Sequence, residues 1–181
     1  MAREENIMSA VLNTQTGAAS ADPTRGLSAG DHDGQQEEIL ARARSRAVGD
    51  GLAYAGGVLP GEAWSLFQRG AAVLVDVRTS EERKFVGHVP ETLHVAWATG
   101  TSMTRNPRFV RELEAKVKKD QIVLFLCRSG KRSAAAAEAA TKGGFGHAFN
   151  VLEGFEGELN ERQQRGALGG WRHASLPWVQ D

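Results

Sequence analysis

The residues best suited to chemistry surround Cys127, the only cysteine in the 181-residue chain. It ends an apolar run, and three cations, Arg128, Lys131 and Arg132, follow within five residues. Cations and backbone N–H groups favour the thiolate, which is the nucleophilic form of a cysteine. Gly130 lets the intervening backbone turn with its N–H groups inward. This stretch predicts a nucleophilic cysteine that accepts an anionic or electrophilic substrate.

A lone cysteine at the end of a strand also has a simpler interpretation, as a small buried hydrophobe. The flanking cations argue against that interpretation, because an apolar filler does not need them. A turn that binds an anion does gain from them, together with the N–H groups at the start of the next helix. We therefore favour the nucleophile.

The elements that must position Cys127 follow from the hydrophobic pattern. Short continuous apolar runs predict buried strands, and helical spacing between them predicts helices. This alternation indicates an α/β fold with a parallel sheet covered on both faces. Such sheets bind ligands at the carboxyl ends of their strands, where the Cys127–Arg132 loop is expected. The predicted strands are 71–77, 93–97, 121–127 and 148–151, and the predicted helices are 60–70, one opening at Thr79-Ser-Glu-Glu82, one carrying Val110, Leu113 and Val117, and 133–142.

The composition excludes several classes of protein. Lys plus Arg and Asp plus Glu both number 22, and the resulting zero net charge argues against nonspecific nucleic-acid binding. No apolar run approaches the length of a membrane span, and the N-terminus lacks the pattern of a secretory signal. A single cysteine cannot form an intramolecular disulfide. We therefore expect a cytoplasmic protein without nucleic-acid or membrane partners.

The chain is predicted to have three parts. Residues 1–35 are rich in small and polar residues and are interpreted as a disordered leader. Residues 36–54 are predicted to form an N-terminal helix and a linker. The apolar face of that helix is thin, so we expect it to lie at the surface or to pack weakly. The compact domain is then expected to span 55–181.

Two separated segments resemble signatures of the rhodanese (sulfurtransferase) family. Asp76-Val-Arg78-Thr-Ser-Glu-Glu82, followed by Gly87-His-Val-Pro90, is similar to the family's early signature. Cys127-Arg-Ser-Gly-Lys-Arg132-Ser is similar to its catalytic loop, and Asn150–Gly154 and Trp171–Pro177 resemble its closing segments. The resemblance covers about residues 55–178 and implies a rhodanese-like open parallel sheet of four to five strands with helices on both faces.

The resemblance implies a thiosulfate sulfurtransferase that works in two steps. Cys127 takes a sulfur atom from thiosulfate or a similar small anionic donor and becomes a persulfide. The sulfur then passes to cyanide or a thiol, and a protein sulfur acceptor is a further partner that this chemistry allows. No metal or organic cofactor is implied. Substrate binding is expected from the loop residues Arg128, Ser129, Gly130, Lys131, Arg132 and Ser133, with Asp76 and Arg78 as supporting residues, and the carboxylate of Asp76 is expected to be paired.

Rival functions remain open. A cysteine phosphatase or arsenate reductase needs an arginine six positions after the cysteine, and here that position is Ser133 while the arginine is Arg132. The shorter loop suits a sulfur atom better than a tetrahedral phosphate. A persulfide carrier or regulatory module that serves one protein partner would keep the same Cys127. A Cys–His hydrolase would need a histidine beside the thiol. The chain has five histidines, but nothing in the sequence places any of them near Cys127.

The sequence also departs from the family pattern. Glu91-Thr92 stand where Gly-Ala is usual, and Phe155 stands where a second glycine is common. Two loops, 98–109 and 158–170, are longer than a minimal domain carries. Either loop is expected to shape the pocket or to bind a partner.

Overall fold

The computed structural model describes residues 29–180, with side chains described from Asp33 onward. Five parallel strands form the central sheet, in the spatial order β1-β7-β6-β2-β3. A separate antiparallel hairpin of β4 and β5 lies within the predicted long loop 98–109. The strands are β1 (Gly56–Val58), β2 (Val73–Asp76), β3 (Leu93–His94), β4 (Ala98–Thr99), β5 (Thr104–Arg105), β6 (Val123–Leu126) and β7 (Ala148–Val151). The prediction of a parallel α/β sheet is confirmed.

Five helices complete the described part of the chain. They are α1 (Ala29–Asp50), α2 (Pro60–Gln68), α3 (Ser80–Val86), α4 (Phe109–Glu114) and α5 (Lys131–Lys142). Helix α3 begins at the predicted segment with a capping box, in which the Thr79 side chain accepts the Glu82 N–H and the Glu82 side chain accepts the Thr79 N–H. Helix α5 begins at Lys131, two residues before the predicted start at Ser133. The four predicted strands and the helices between them are therefore confirmed, with small shifts of boundary.

The sheet is covered on both faces because its strands are apolar on both sides. Leu74, Leu124 and Phe149 belong to one buried cluster, which includes side chains of α1 and α2. Val75 and Phe125 belong to the other, with side chains of α4 and α5. Alternation along each strand sends successive side chains to opposite faces. This arrangement buries β6, the strand that leads to Cys127, on both sides.

Helix α1 packs more tightly than the sequence suggested. Its residues Ile39, Leu40, Ala43 and Ala47 are at most 9% exposed. A Cβ at Gly56 would lie 2.1 Å from the carbonyl oxygen of Ala43, so helix and strand approach as closely as glycine permits. The prediction of a weakly packed surface helix was wrong.

Residues 29–35, which were predicted to belong to a disordered leader, lie in α1. The rest of that predicted leader, residues 1–28, lies outside the described residues. Between 29 and 180, no helix combines the length and the apolarity needed to cross a membrane.

Candidate active site

Cys127 follows β6 directly and is 1% exposed. Its Sγ accepts a hydrogen bond from the Gly130 N–H at 3.2 Å and lies 3.1 Å from the hydroxyl oxygen of Ser133. Ser133 is fully buried, and Gly130 adopts a left-handed backbone with φ of 91°. Two polar groups thus meet a buried sulfur, which an apolar filler would not require.

The loop after Cys127 also presents free backbone N–H groups. The first helical bond of α5 runs from Ala134 N–H to Gly130 O at 3.0 Å. Before it, the N–H groups of Ser129, Lys131, Arg132 and Ser133 have no acceptor within residues 29–180. Unpaired N–H groups at the start of a 12-residue helix favour a negatively charged ligand.

The segment after β7 holds this loop in place. The Phe155 N–H donates to Cys127 O at 2.8 Å, and the Glu156 N–H donates to Arg128 O at 2.9 Å. Gly154 has a φ of 67°, and a Cβ on it would lie 2.6 Å from both Cys127 O and Ser129 N. The segment after β7 thus packs against the Cys127 loop so closely that only glycine fits at position 154.

Arg132 is bound to a residue that the sequence had not connected with it. Its guanidinium donates to both carboxylate oxygens of Glu82, at 2.6 and 2.7 Å, and both side chains are less than one-fifth exposed. Glu82 is the N3 residue of the α3 capping box, so it joins that helix to the Cys127 loop. Arg132, expected to bind substrate, therefore has its charge balanced by the protein itself.

The ionisation of this pair follows from its contacts. Burial would raise the pKa of Glu82, but the hydrogen bonds from Arg132 and the Thr79 N–H, with the charges of Arg132 and Arg78, hold that pKa below its ordinary value. Burial would lower the pKa of Arg132, but its bonds to Glu82 raise that pKa instead. Both groups are charged around neutral pH.

Arg128 differs from the other two cations of the loop. Lys131 is 81% exposed and forms an ion pair with Glu158 at 3.4 Å. Arg128 is exposed and has no carboxylate within 4.0 Å in the part of the chain that the structure describes. It lines an open cleft of about 340 Å³ with Thr79, Glu81, Glu82, Gly100, Thr101 and Met103. Among the three loop cations, Arg128 is therefore the one without a carboxylate partner in the described residues, and the tip of the β4–β5 hairpin forms one side of the cleft.

Asp76 and Arg78 form a buried scaffold at the end of β2. Both side chains are fully buried and are joined by an Oδ2–guanidinium contact of 2.7 Å. Asp76 also pairs with Arg83 at 3.0 Å, and Arg78 donates to Gly87 O and lies 4.1 Å from the Phe155 ring. Asp76 is thus paired as expected, and neither residue has a hydrogen bond to Cys127 Sγ.

Comparisons with known proteins identify the family of the chain. The sequence model of the Rhodanese-like domain matches residues 59–160. The chain belongs to the rhodanese-like domain family. The crystal structure of Rv0390 from M. tuberculosis is 46% identical, with a TM-score of 0.64, covering 71% of this chain and 99% of that one.

Two further relatives extend the comparison. The uncharacterized protein RP600 homolog of Rickettsia rickettsii is 36% identical over 112 residues, which cover 59% of this chain and 82% of that protein. The rhodanese-like domain of Alr3790 from Anabaena sp. is 14% identical with a TM-score of 0.52, covering 69% of this chain and 79% of that chain. At that identity the Anabaena structure supports the fold alone. 

Proposed function

We propose that this protein is a sulfurtransferase that moves sulfane sulfur from thiosulfate, or a similar small anionic donor, to cyanide or a thiol through a Cys127 persulfide. The observation that carries the proposal is the convergence of the Gly130 N–H and the Ser133 hydroxyl on Cys127 Sγ, at 3.2 and 3.1 Å. Membership of the rhodanese-like family supports the same chemistry.

In the first step, the Cys127 thiolate attacks the outer sulfur of thiosulfate. A new S–S bond forms as the donor's S–S bond breaks, and sulfite leaves with the electron pair of that bond. Arg128 attracts the dianionic donor, and the unpaired N–H groups of Ser129, Lys131 and Arg132 stabilise the negative charge of the persulfide. The chemistry needs no metal or organic cofactor.

In the second step, the acceptor attacks the outer sulfur of the persulfide. Cyanide forms thiocyanate, or a thiolate forms a new persulfide, and the Cys127 thiolate is released. Because the chain contains one cysteine, no second thiol of the same chain can discharge the persulfide. The acceptor must come from outside, and we propose a reducing cytoplasm as the setting, where low-molecular-weight and protein thiols are free.

The arrangement supports sulfur transfer over phosphate-ester hydrolysis. A phosphatase arginine must be free to bind the phosphate oxygens, whereas Arg132 is held by both carboxylate oxygens of Glu82. The next loop position, where a phosphatase would carry its arginine, holds the buried Ser133.

The test compares wild type with Cys127→Ser in two assays, thiosulfate:cyanide transfer and phosphate-ester hydrolysis. We expect thiocyanate formation by wild type, none above background by the variant, and no hydrolysis by either. Transfer that survives in the variant, or hydrolysis that the variant abolishes, contradicts the proposal. If wild-type Cys127 gains a sulfur atom by mass without forming thiocyanate, the protein is a persulfide carrier for a partner instead.

A further inference from the structure

A second pocket adjoins the Cys127 loop on the segment that follows β7. It has a volume of about 340 Å³ and is lined by Glu156, Arg165, Gly166, Arg172, His173 and Trp178. None of these residues belongs to the 127–133 loop, but the Glu156 N–H donates to Arg128 O at 2.9 Å. The pocket is therefore distinct from the cleft beside Arg128 and shares a backbone contact with the loop. Part of it comes from the long loop 158–170.

Neutral groups contact the side chains of Arg165, Arg172 and His173 in this pocket. Arg165 donates to the carbonyl oxygen of Gly157 at 2.6 Å. The guanidinium of Arg172 lies 4.5 Å from the centre of the Trp178 ring. A ring nitrogen of His173 lies 3.1 Å from Gly166 O. Carbonyl and ring contacts orient a guanidinium without neutralising it.

The charge of the pocket is therefore unbalanced. Within residues 33–180, neither Arg165 nor Arg172 has a carboxylate oxygen within 4.0 Å. Glu156 supplies one carboxylate to the same pocket, and it forms no ion pair with any described side chain. Outside this pocket, seven arginines of the described residues form ion pairs and five do not: Arg42, Arg44, Arg46, Arg78, Arg83, Arg108 and Arg132 are paired, and Arg69, Arg105, Arg111, Arg128 and Arg162 are not. Two oriented guanidinium groups and one carboxylate leave this concavity with a net positive charge, which attracts an oxyanion.

We propose that this pocket binds the oxyanion group, a carboxylate or a phosphate, of a small organic molecule. The oxyanion lies against Arg165 and Arg172, and Glu156 accepts a hydrogen bond from a hydroxyl or ammonium group of the same ligand. Trp178 is 37% exposed and offers an apolar wall. The volume lies at the lower end of the range for small-molecule pockets, about 300–1,000 Å³. The site does not depend on the chemistry of Cys127.

The test is an NMR titration of the ¹⁵N-labelled full chain. One arm uses inorganic phosphate, the other uses succinate, and sodium chloride at matched ionic strength serves as the reference. We expect saturable shifts of the Gly166 and His173 amide signals in at least one arm, and the arm with the lower Kd identifies the preferred oxyanion. Binding at the Cys127 loop would instead shift the amides of residues 129–133, so the two sites are read separately. The absence of saturable shifts around Gly166 in both arms overturns the proposal.

Matched variants test whether the guanidinium groups form the site. Arg172→Gln changes an exposed side chain and is expected to raise Kd about tenfold or more, the loss of one charge-assisted contact. Arg165→Gln should have a similar effect, and if loss of its bond to Gly157 unfolds the loop, Arg172→Gln decides alone. Arg162→Gln removes an exposed cation of the same segment outside this pocket and should leave Kd within about twofold. An unchanged Kd in Arg172→Gln, or an equal loss in Arg162→Gln, contradicts the proposal.

Discussion

The Ser133 hydroxyl has one proton and two possible hydrogen-bond acceptors. Its hydroxyl oxygen is 3.1 Å from both Cys127 Sγ and Gly130 O. A hydroxyl has one proton to donate, and a charged acceptor binds it more strongly than a neutral one. The hydroxyl is therefore expected to donate to the sulfur when Cys127 is a thiolate and to Gly130 O when the sulfur is neutral. Such a donor stabilises the thiolate before it attacks the sulfur donor in the first step and as it is released in the second.

Replacing Ser133 with alanine should slow sulfur transfer. We expect kcat to fall about 10- to 100-fold, the effect of losing one hydrogen bond to a charged group, with little change in KM for thiosulfate. Ser129→Ala is the matched control, because Ser129 is in the same loop and its hydroxyl has no hydrogen bond to Sγ. Steady-state thiocyanate formation measures kcat and KM for each variant. A kcat that is equal in Ser133→Ala and Ser129→Ala would show that the hydroxyl does not act on the sulfur.

We expect that Gly154 cannot be replaced, because a Cβ would collide with the Cys127 loop; this effect can be separated from the cost of its left-handed backbone. Gly154 and Gly70 have nearly the same φ, 67° and 68°, but a Cβ at Gly70 meets nothing within 4 Å. Both alanine variants should lose about 1 kcal/mol from the left-handed backbone. Gly154→Ala should lose more stability and most of its activity, because its Cβ meets the backbone at Cys127 and Ser129. Denaturant unfolding and kcat are the measurements, and equal losses in the two variants would disprove the close packing.

Among the elements, α3 and the Cys127 loop form one unit through the Glu82–Arg132 pair. The two residues are 50 positions apart in the chain. They meet because β2 and β6 are neighbours in the sheet, so that the segments following these strands lie at the same edge. The pair fixes the first turn of α5 against the first turn of α3, and the N–H groups of the loop are held in their orientation as a result.

The stability that this pair gives to the fold depends on pH, and the ionisation of Glu82 sets the direction of that dependence. The pKa of Glu82 is lowered in the folded protein, so its ionised form stabilises the fold above the ordinary value of 4.5. That stabilisation is lost as the pH falls through the lowered folded pKa. Glu82→Gln should therefore reduce the free energy of unfolding by about 1–2 kcal/mol near neutral pH. The deficit relative to wild type should shrink progressively below pH 4.5.

Glu81→Gln is the control for that measurement, since Glu81 lies next to Glu82 on α3 but is exposed. It should leave the Arg132 pair intact and change stability much less. Urea unfolding of the three proteins between neutral and acidic pH supplies the comparison. A deficit in Glu82→Gln that does not depend on pH would show that the carboxylate charge is not the stabilising feature.

At the candidate active site, features set by neighbouring residues could be predicted from the sequence, and contacts between distant residues could not. Cys127, the Gly130 turn and the start of α5 follow from adjacent residues and from the apolar run before them. Glu82 was placed at the start of a predicted helix, but its pairing with Arg132 depends on strand order, which sequence spacing does not encode. Arg132 was consequently expected to bind substrate, whereas the structure pairs it with Glu82.

Across the whole molecule, the strands that the sequence predicted are those with continuous apolar runs. The missed strand of the central sheet, β1, contains Gly56 and Gly57, which have little strand propensity. The packing of α1 was underestimated for a related reason. Its alanines Ala43 and Ala47 bury little area themselves, but small residues and the glycine of β1 let the helix backbone approach the strand closely. Hydrophobic patterning reflects the size of apolar side chains, so it does not detect a close approach between the backbones of a helix and a strand.

Helix α1 is therefore expected to unfold together with the sheet. Leu40→Ala removes a side chain that is 2% exposed and should cost about 2–4 kcal/mol of unfolding free energy. Val48→Ala is the control on the same helix, because Val48 is 83% exposed, and it should change stability by less than about 0.5 kcal/mol. Urea unfolding followed by far-UV circular dichroism and by tryptophan fluorescence should give one coincident transition in each protein. If α1 were an appendage, Leu40→Ala would shift only an early loss of helical signal and leave the fluorescence transition in place.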